Sequence, residues 1–205
     1  MKTFFLTIAV LLLQTILPVS GQGFIYDQQS ATESTGGGAI ASIQSFQPIG
    51  QSFTPTNSSV GFIRLLLGDT AINSLGATVY VNLWSGSISN GTPLASTDPV
   101  YMPDGFGTGF GPVGYTNFFF LSPVAVTPGT TYFFQPVVQS GDDWNVIAYN
   151  SYNYPGGTAV FSGVANSGWD LWFREGVIAV PEPSSMVLAL LGGGAWLFAR
   201  RRSGR

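Results

Sequence analysis

The acidic residues of this 205-residue chain are the ones whose chemistry could support catalysis. Nine of them lie between residues 22 and 180: Asp27, Glu33, Asp69, Asp98, Asp104, Asp142, Asp143, Asp170 and Glu175. Two carboxyl groups that face a cleft at a fixed separation would form the acid/base pair of a glycoside hydrolase. No spacing in the sequence pairs these nine, and so catalysis is not indicated.

The residues that flank these carboxylates in the sequence favour a structural role for them. Asp69, Asp98 and Asp104 stand beside turn residues, where an Asp side chain accepts hydrogen bonds from backbone N–H groups. Asp142 and Asp143 offer oxygen ligands for calcium, but their spacing matches no calcium-binding loop. We therefore expect these five residues to hold turns.

The sequence contains no His and no Cys. This composition excludes a Ser-His-Asp triad, a Cys-His protease, a thiol redox site and an ordinary zinc site. It also excludes disulfides, so packing alone must hold the fold. We expect a protein that is not an enzyme and that uses neither a cofactor nor a metal.

Aromatic side chains are the other candidates for ligand binding. They cluster late in the chain, at Trp144, Tyr149, Tyr152, Tyr154, Trp169 and Trp172, around a tyrosine-rich loop at Asn150–Gly157. Flat rings beside Asn and Asp suit sugar faces and hydroxyls, and the possible glycan contacts are Tyr149, Tyr152, Tyr154 and Trp172. The same rings also fill the cores of β-proteins, and packing is the favoured interpretation.

The N-terminal segment predicts export. Lys2 precedes an apolar run from Phe4 to Leu17, and small residues follow at Val19 and Gly21. These are the three parts of a secretory signal peptide, which we place at residues 1–21. Cleavage after Gly23 is the second choice, and an uncleaved membrane anchor is the alternative.

The C-terminal segment, residues 180–205, has three parts. Pro181, Glu182 and Pro183 form an extended stretch, because proline forbids regular structure. Arg200, Arg201 and Arg202 follow the apolar run and would remain on the cytoplasmic side of a membrane. The apolar run between them predicts a short transmembrane helix, with Met186, Val187, Leu188, Ala189, Leu190, Leu191, Trp196, Leu197 and Phe198 as its membrane residues.

This three-part segment resembles the PEP-CTERM protein-sorting domain of Gram-negative bacteria. The resemblance implies recognition and cleavage near the motif by an exosortase, a membrane cysteine protease of the transpeptidase type. It further implies transient anchoring in the inner membrane and delivery to the outer cell surface or the extracellular polysaccharide. A plain C-terminal membrane anchor is the alternative.

Removal of both ends changes the charge of the protein. The whole chain has a formal net charge of −3, but the body keeps only Arg64 and Arg174 against nine acidic residues, which gives −7. A body without a basic patch is a poor partner for nucleic acid.

Alternation along one strand puts Asp170 and Arg174 on the same face, and we expect them to pair with each other or with Arg64.

The body, residues 22–179, predicts an all-β domain. Thr78–Trp84 shows the clearest alternation, with Val79, Val81 and Leu83 on one face. Nine strands are predicted, at Phe24–Tyr26, Gln51–Phe53, Gly61–Leu67, Thr78–Trp84, Asn117–Leu121, Thr130–Val138, Asn145–Tyr149, Ala159–Phe161 and Asp170–Arg174. They suit an antiparallel β-sandwich of the jelly-roll kind.

Four short stretches resemble, in their order, a loose class of secreted bacterial β-sandwich domains with a lectin-like shape. They are Gln51–Thr54, Gly91–Leu94, Pro123-Val124 with Pro128–Tyr132, and Asp170–Arg174. Membership of this class implies no particular activity. The sequence therefore predicts a structural protein of the cell surface, extracellular matrix or biofilm, and the alternative is a carbohydrate-binding module that uses the Tyr/Trp loop.

Overall fold

Short apolar segments separated by Gly, Pro, Asn and Ser form the strands of the body. The computed structural model describes residues 23–35, 37–88, 91–107 and 114–179. The predicted signal peptide and the predicted sorting segment lie outside these residues. Phe24–Ile178 form one compact unit, and a second unit comprises the two chain ends, of which only Gly23 and Ala179 are described. No helix of the described part is long and apolar enough to span a membrane.

Fourteen β-strands account for the regular structure of the described residues. They are β1 Gly23–Gln29, β2 Ala39–Ser42, β3 Gly50–Phe53, β4 Ser59–Asp69, β5 Ala77–Ser85, β6 Ala95–Ser96, β7 Val100–Met102, β8 Gly114–Ala125, β9 Tyr132–Gly141, β10 Trp144–Tyr149, β11 Ala159–Phe161, β12 Val164–Asn166, β13 Asp170–Leu171 and β14 Phe173–Ala179.

The strands form two antiparallel sheets. The first sheet has the order β1-β14-β4-β10-β13, with β2 beside β10 and β8 beside β4. The second has the order β12-β11-β3-β9-β5-β6, with β7 beside β5. These sheets confirm the predicted all-β class with antiparallel sheets, whereas the jelly-roll connectivity stays a prediction.

The main hydrophobic core lies between the two sheets. It combines side chains of the first sheet, such as Leu65 and Val146, with side chains of the second, such as Val81 and Phe134. All four are fully buried. Burial of a side chain of this size contributes about 1.5–3 kcal/mol, so this core is the main source of stability.

The longest predicted strands agree with the structure, and four short strands were missed. Thr78–Trp84 lies within β5, and the alternation of its apolar residues points into the core as predicted. The turn before β9 is also confirmed, since Gly129 has a φ of +77° and Thr130 donates to the Thr127 carbonyl. Four strands of two to four residues, β2, β6, β7 and β12, are too short to show a period.

Both faces of β4 are buried along most of the strand. Leu65 belongs to the main core, and Leu66 belongs to a second, smaller core on the outer face of the first sheet. The second core contains Ala31, Leu66, Ile147, Tyr152 and Trp172, with Tyr115 packed against it.

Residues 30–35, 37 and 38, called here the covering segment, cross this outer face. The Ser30 hydroxyl donates to the Leu171 carbonyl at 2.6 Å and accepts from the Phe173 N–H at 3.0 Å. Ser30 therefore bridges β13 and β14 on either side of Trp172. The predicted single strand Asp170–Arg174 is divided at that residue.

The predicted pairing of Asp170 with an arginine is wrong. Both arginines of the body instead contact Glu33 of the covering segment. Arg174 Nη1 lies 2.5 Å from Glu33 Oε2, and Arg64 Nε lies 3.0 Å from Glu33 Oε1, the latter an ion pair without hydrogen-bond geometry. The Arg174 guanidinium also stacks 3.4 Å from the centre of the Tyr26 ring. One carboxylate thus attaches the covering segment to two strands.

We expect Glu33→Gln to lower the free energy of unfolding by about 1 kcal/mol, because it leaves two arginines on one sheet face without a counter-ion. For a domain of this size the melting temperature should fall by about 2–4 °C. Asp98→Asn, which removes the same charge from an exposed site, is the matched control. Equal melting temperatures for the two variants in a thermal melt would show that Glu33 is not a structural anchor.

Candidate functional site

The four predicted glycan contacts occupy very different environments. Tyr149 is 40% exposed, whereas Tyr152, Tyr154 and Trp172 are 2%, 6% and 0% exposed. A buried ring cannot offer its face to a sugar. The favoured interpretation of these aromatics as packing residues therefore fits three of the four, and glycan binding by the loop stays a prediction.

The buried tyrosines hold loops through their hydroxyl groups. The Tyr154 hydroxyl accepts from the Thr54 N–H at 3.0 Å and donates to Gln28 Oε1 at 3.1 Å. The Tyr152 hydroxyl donates to the Gly37 carbonyl of the covering segment. Burial raises the pKa of both hydroxyls to about 12, so each remains a donor at neutral pH.

The tyrosine-rich loop forms the wall of a polar pocket of about 300 Å³. This polar pocket is lined by Asn150, Ser151, Tyr152, Asn153, Tyr154, Gly157, Thr158, Ser167, Gly168 and Asp170. Asp170 accepts from Gln51 Nε2 at 2.8 Å and from the Tyr154 N–H at 3.0 Å. Burial raises the pKa of Asp170, although these two hydrogen bonds oppose the shift. Its carboxylate is therefore committed to the fold.

A second pocket, mostly apolar, lies beside the first. This apolar pocket has a volume of about 280 Å³ and is lined by Ala39, Ile40, Ala41, Phe46, Ala148, Phe161, Asn166 and Trp169. Its walls come from β2 and β10 of the first sheet and from β11 and β12 of the second. Among the described strands β2 pairs only with β10, and β12 only with β11, so the pocket opens where both sheets end.

The segment Asn166–Asp170, called here the ridge, borders both pockets. Asn166 and Trp169 line the apolar pocket, while Ser167, Gly168 and Asp170 line the polar one. A tight turn makes this possible, because Gly168 has a φ of +92° and the Trp169 N–H donates to the Asn166 carbonyl at 3.2 Å.

Trp169 is the functional candidate that the selection of glycan contacts omitted. It is partly exposed and borders a pocket, whereas Trp172, three residues later, is fully buried. The signal that could have separated them is the turn sequence Asn166-Ser167-Gly168, which directly precedes Trp169.

The turn role predicted for two of the aspartates is confirmed. Asp69 accepts from the Ala71 and Gly105 N–H groups, and Asp104 accepts from the Asn73 N–H. Asp98 is exposed and its backbone N–H donates to the Phe119 carbonyl at 3.1 Å, so a turn role for its side chain stays a prediction.

The predicted calcium alternative for Asp142 and Asp143 gains no support. Asn73 Nδ2 donates to Asp142, and Ser42 and Thr70 donate to Asp143. Among the described residues no group of three or more His, Cys, Asp or Glu side chains is placed to hold a metal ion.

One carboxyl pair that the sequence did not indicate is formed by Asp27 of β1 and Glu175 of β14. Asp27 accepts hydrogen bonds from the Thr56 and Asn57 N–H groups at 2.8 and 2.9 Å. Burial alone would raise the pKa of Asp27, but the bonds from Thr56 and Asn57 outweigh it and lower that pKa. Asp27 is therefore the charged member of the pair.

Glu175 is the protonated member. Its side chain is 0% exposed, and neither of its oxygens has a hydrogen-bond partner of normal geometry in the described part of the chain. Burial, reinforced by the charge of Asp27, raises the pKa of Glu175 from its ordinary value of 4.5 to about 8. Neither residue lines the polar or the apolar pocket, and only Glu175 is buried, since Asp27 remains partly exposed.

We expect the stability of the protein to fall as the pH rises from about 5 to about 8. The folded state keeps the Glu175 proton up to about pH 8, whereas the unfolded chain releases it near 4.5. The contribution of the Glu175 proton to stability is fully present below about pH 4.5 and is lost as the pH rises to about 8. Over that range the free energy of unfolding falls by up to about 1 kcal/mol per pH unit.

Glu175→Gln, which is neutral at every pH, should remove this dependence and make the variant more stable than the parent at pH 8. Urea unfolding at several pH values measures it, with Asp98→Asn as the control that keeps Glu175. A Glu175→Gln variant that retains the full slope would contradict this assignment.

Comparison with known proteins gives one finding at the C-terminal side of the body. A family model described as the PEP-CTERM protein-sorting motif matches residues 179–203. The match contains Pro181, Glu182 and Pro183, the apolar run and the three arginines, nearly all outside the described residues. No curated protein matches the chain. The chain therefore carries a PEP-CTERM protein-sorting motif, the mark of an exported, membrane-transiting protein that is processed by an exosortase.

Proposed function

We propose that the protein is a non-catalytic structural component of the outer surface or extracellular matrix of a Gram-negative bacterium. In this proposal a signal peptide at residues 1–21 directs export, and the 186–199 helix anchors the precursor in the inner membrane. The exosortase then cuts near Pro181-Glu182-Pro183 and releases the all-β body into the extracellular polysaccharide or biofilm. The observation that carries the proposal is the sorting motif at residues 179–203.

The arrangement of the carboxylates supports a body without catalysis. Hydrolysis of a glycoside needs two carboxyl groups across a cleft. The polar pocket is lined by a single carboxylate, Asp170, and that group is held by Gln51 and Tyr154. The apolar pocket, and a third pocket of about 430 Å³ beside Tyr80 and Gln139, are lined by none.

The charge of the body supports an extracellular role without nucleic acid. Its two arginines, Arg64 and Arg174, both contact Glu33 and are stacked on tyrosine rings, so neither is placed to neutralise phosphates. The remaining negative charges keep the surface solvated and repel other copies.

We expect Glu182→Ala to block processing and surface delivery, because it removes the charged centre of the sorting motif. The measurements are the gel mobility of the protein and its sensitivity to protease on intact cells of the producing strain. Ser184→Ala, two residues away, is the matched control, and a strain without the exosortase gives the unprocessed reference. Normal processing of Glu182→Ala would refute recognition through this motif.

A second candidate function is carbohydrate binding by the body. The observation that favours it is the polar pocket, because the tyrosine-rich loop supplies most of its wall. Pockets that bind small ligands combine apolar surface with a few polar groups, and the two neighbouring pockets together have this character.

A further inference from the structure

We propose that a carbohydrate ligand stacks on Trp169 at the ridge between the two pockets, and that this ligand is an uncharged polysaccharide. The inference rests on the carbohydrate-binding candidate described above. It names the contact residue and the class of glycan, neither of which that candidate specifies.

Trp169 has the position that stacking requires. It is partly exposed and lines the apolar pocket together with Phe46, Phe161 and Ile40. Phe46 and Phe161 pack edge to face at 5.8 Å, which stabilises the opposite wall of the pocket. Of these residues, Ile40 is 69% exposed and Phe46 is 41% exposed. An apolar surface that remains open to solvent is suited to the C–H face of a sugar ring.

The backbone around Trp169 is fixed before any ligand arrives. The Trp169 carbonyl accepts from the Ala159 N–H at 2.8 Å and from Thr158 Oγ1 at 3.2 Å. The single Thr158 hydroxyl hydrogen is shared with the Asn166 carbonyl, which lies nearer at 2.6 Å, so the two ends of the turn are held by Thr158 and by Ala159, the first residue of β11. A rigid aromatic side chain loses little entropy on binding, which favours affinity.

Polar groups lie on both sides of the ridge. Asn166 lines the apolar pocket, and Asn150, Ser151, Asn153 and Ser167 line the polar pocket. Amides and hydroxyls both donate and accept hydrogen bonds, as sugar hydroxyls require. The pocket volumes of about 280 and 300 Å³ are at the lower end of the range for small ligands, so each suits one or two sugar units of a chain.

The charges of the body exclude acidic sugars from this site. Arg64 and Arg174 line neither pocket and are engaged by Glu33. The body contains no lysine, since Lys2 falls in the predicted signal peptide. A uronate would therefore approach an acidic protein and a pocket that contains Asp170, with no cation to pair with. Hydroxyl-rich uncharged chains meet no such penalty.

The test is affinity electrophoresis of the full-length protein, solubilised in mild detergent, in gels that contain defined polysaccharides. Laminarin, mannan and dextran are the uncharged probes, and alginate and polygalacturonate are the acidic ones. Trp169→Ala is the loss variant, and Trp169→Tyr keeps an aromatic ring. Tyr101→Ala is the matched control, because Tyr101 is a 65% exposed aromatic residue that lines neither pocket. A thermal melt establishes that each variant is folded.

We expect at least one uncharged probe to retard the parent protein, Tyr101→Ala and Trp169→Tyr, and Trp169→Ala to bind at least about tenfold more weakly. Binding of an acidic probe, or equal binding by Trp169→Ala, would overturn this inference and leave carbohydrate binding itself in place. Failure of every probe to retard the parent protein would instead reject the carbohydrate-binding candidate, and the present inference with it.

Discussion

With no cysteine in the chain, the two sheets are held together by the apolar side chains that they bury between them. Every other feature depends on this packing. The main core fixes the positions of β4, β10 and β14. The covering segment then packs against the outer faces of these strands. A second core under that segment is possible because Leu66 stands on β4, whose other face is already buried, and Trp172 lies between β13 and β14, beside the buried Leu171 and Phe173.

Several of the few ionic groups of the body are structural elements. Glu33 contacts both arginines across the outer face of the first sheet, and Asp69 and Asp104 accept hydrogen bonds from loop N–H groups. Glu175 differs from these charged carboxylates, because its carboxyl group stays neutral in surroundings that exclude water. Such a body is organised for stability, which is consistent with a protein delivered outside the cell.

The two pockets arise where the sheets come to an end. There β2 and β12 each have one neighbouring strand among the described elements, and the core side chains near them are only partly covered. The short turn before Trp169 lets Trp169 line the apolar pocket while Ser167 and Gly168 line the polar one. The two neighbouring pockets are thus a consequence of where strand pairing stops, combined with one local turn.

The sequence by itself determined the strand class, the turn at Gly129 and the sorting motif, because alternation, turn residues and a contiguous motif are all local signals. It also indicated that aromatic residues late in the chain pack or bind. Only the tertiary structure decided which of them are buried, since Trp169 and Trp172 differ by three positions and are respectively partly exposed and fully buried. The pairing of both arginines with Glu33 and the burial of Glu175 beside Asp27 were likewise decided by tertiary structure. These contacts join residues 31 to 148 positions apart, and no local pattern records which distant strand a side chain will meet.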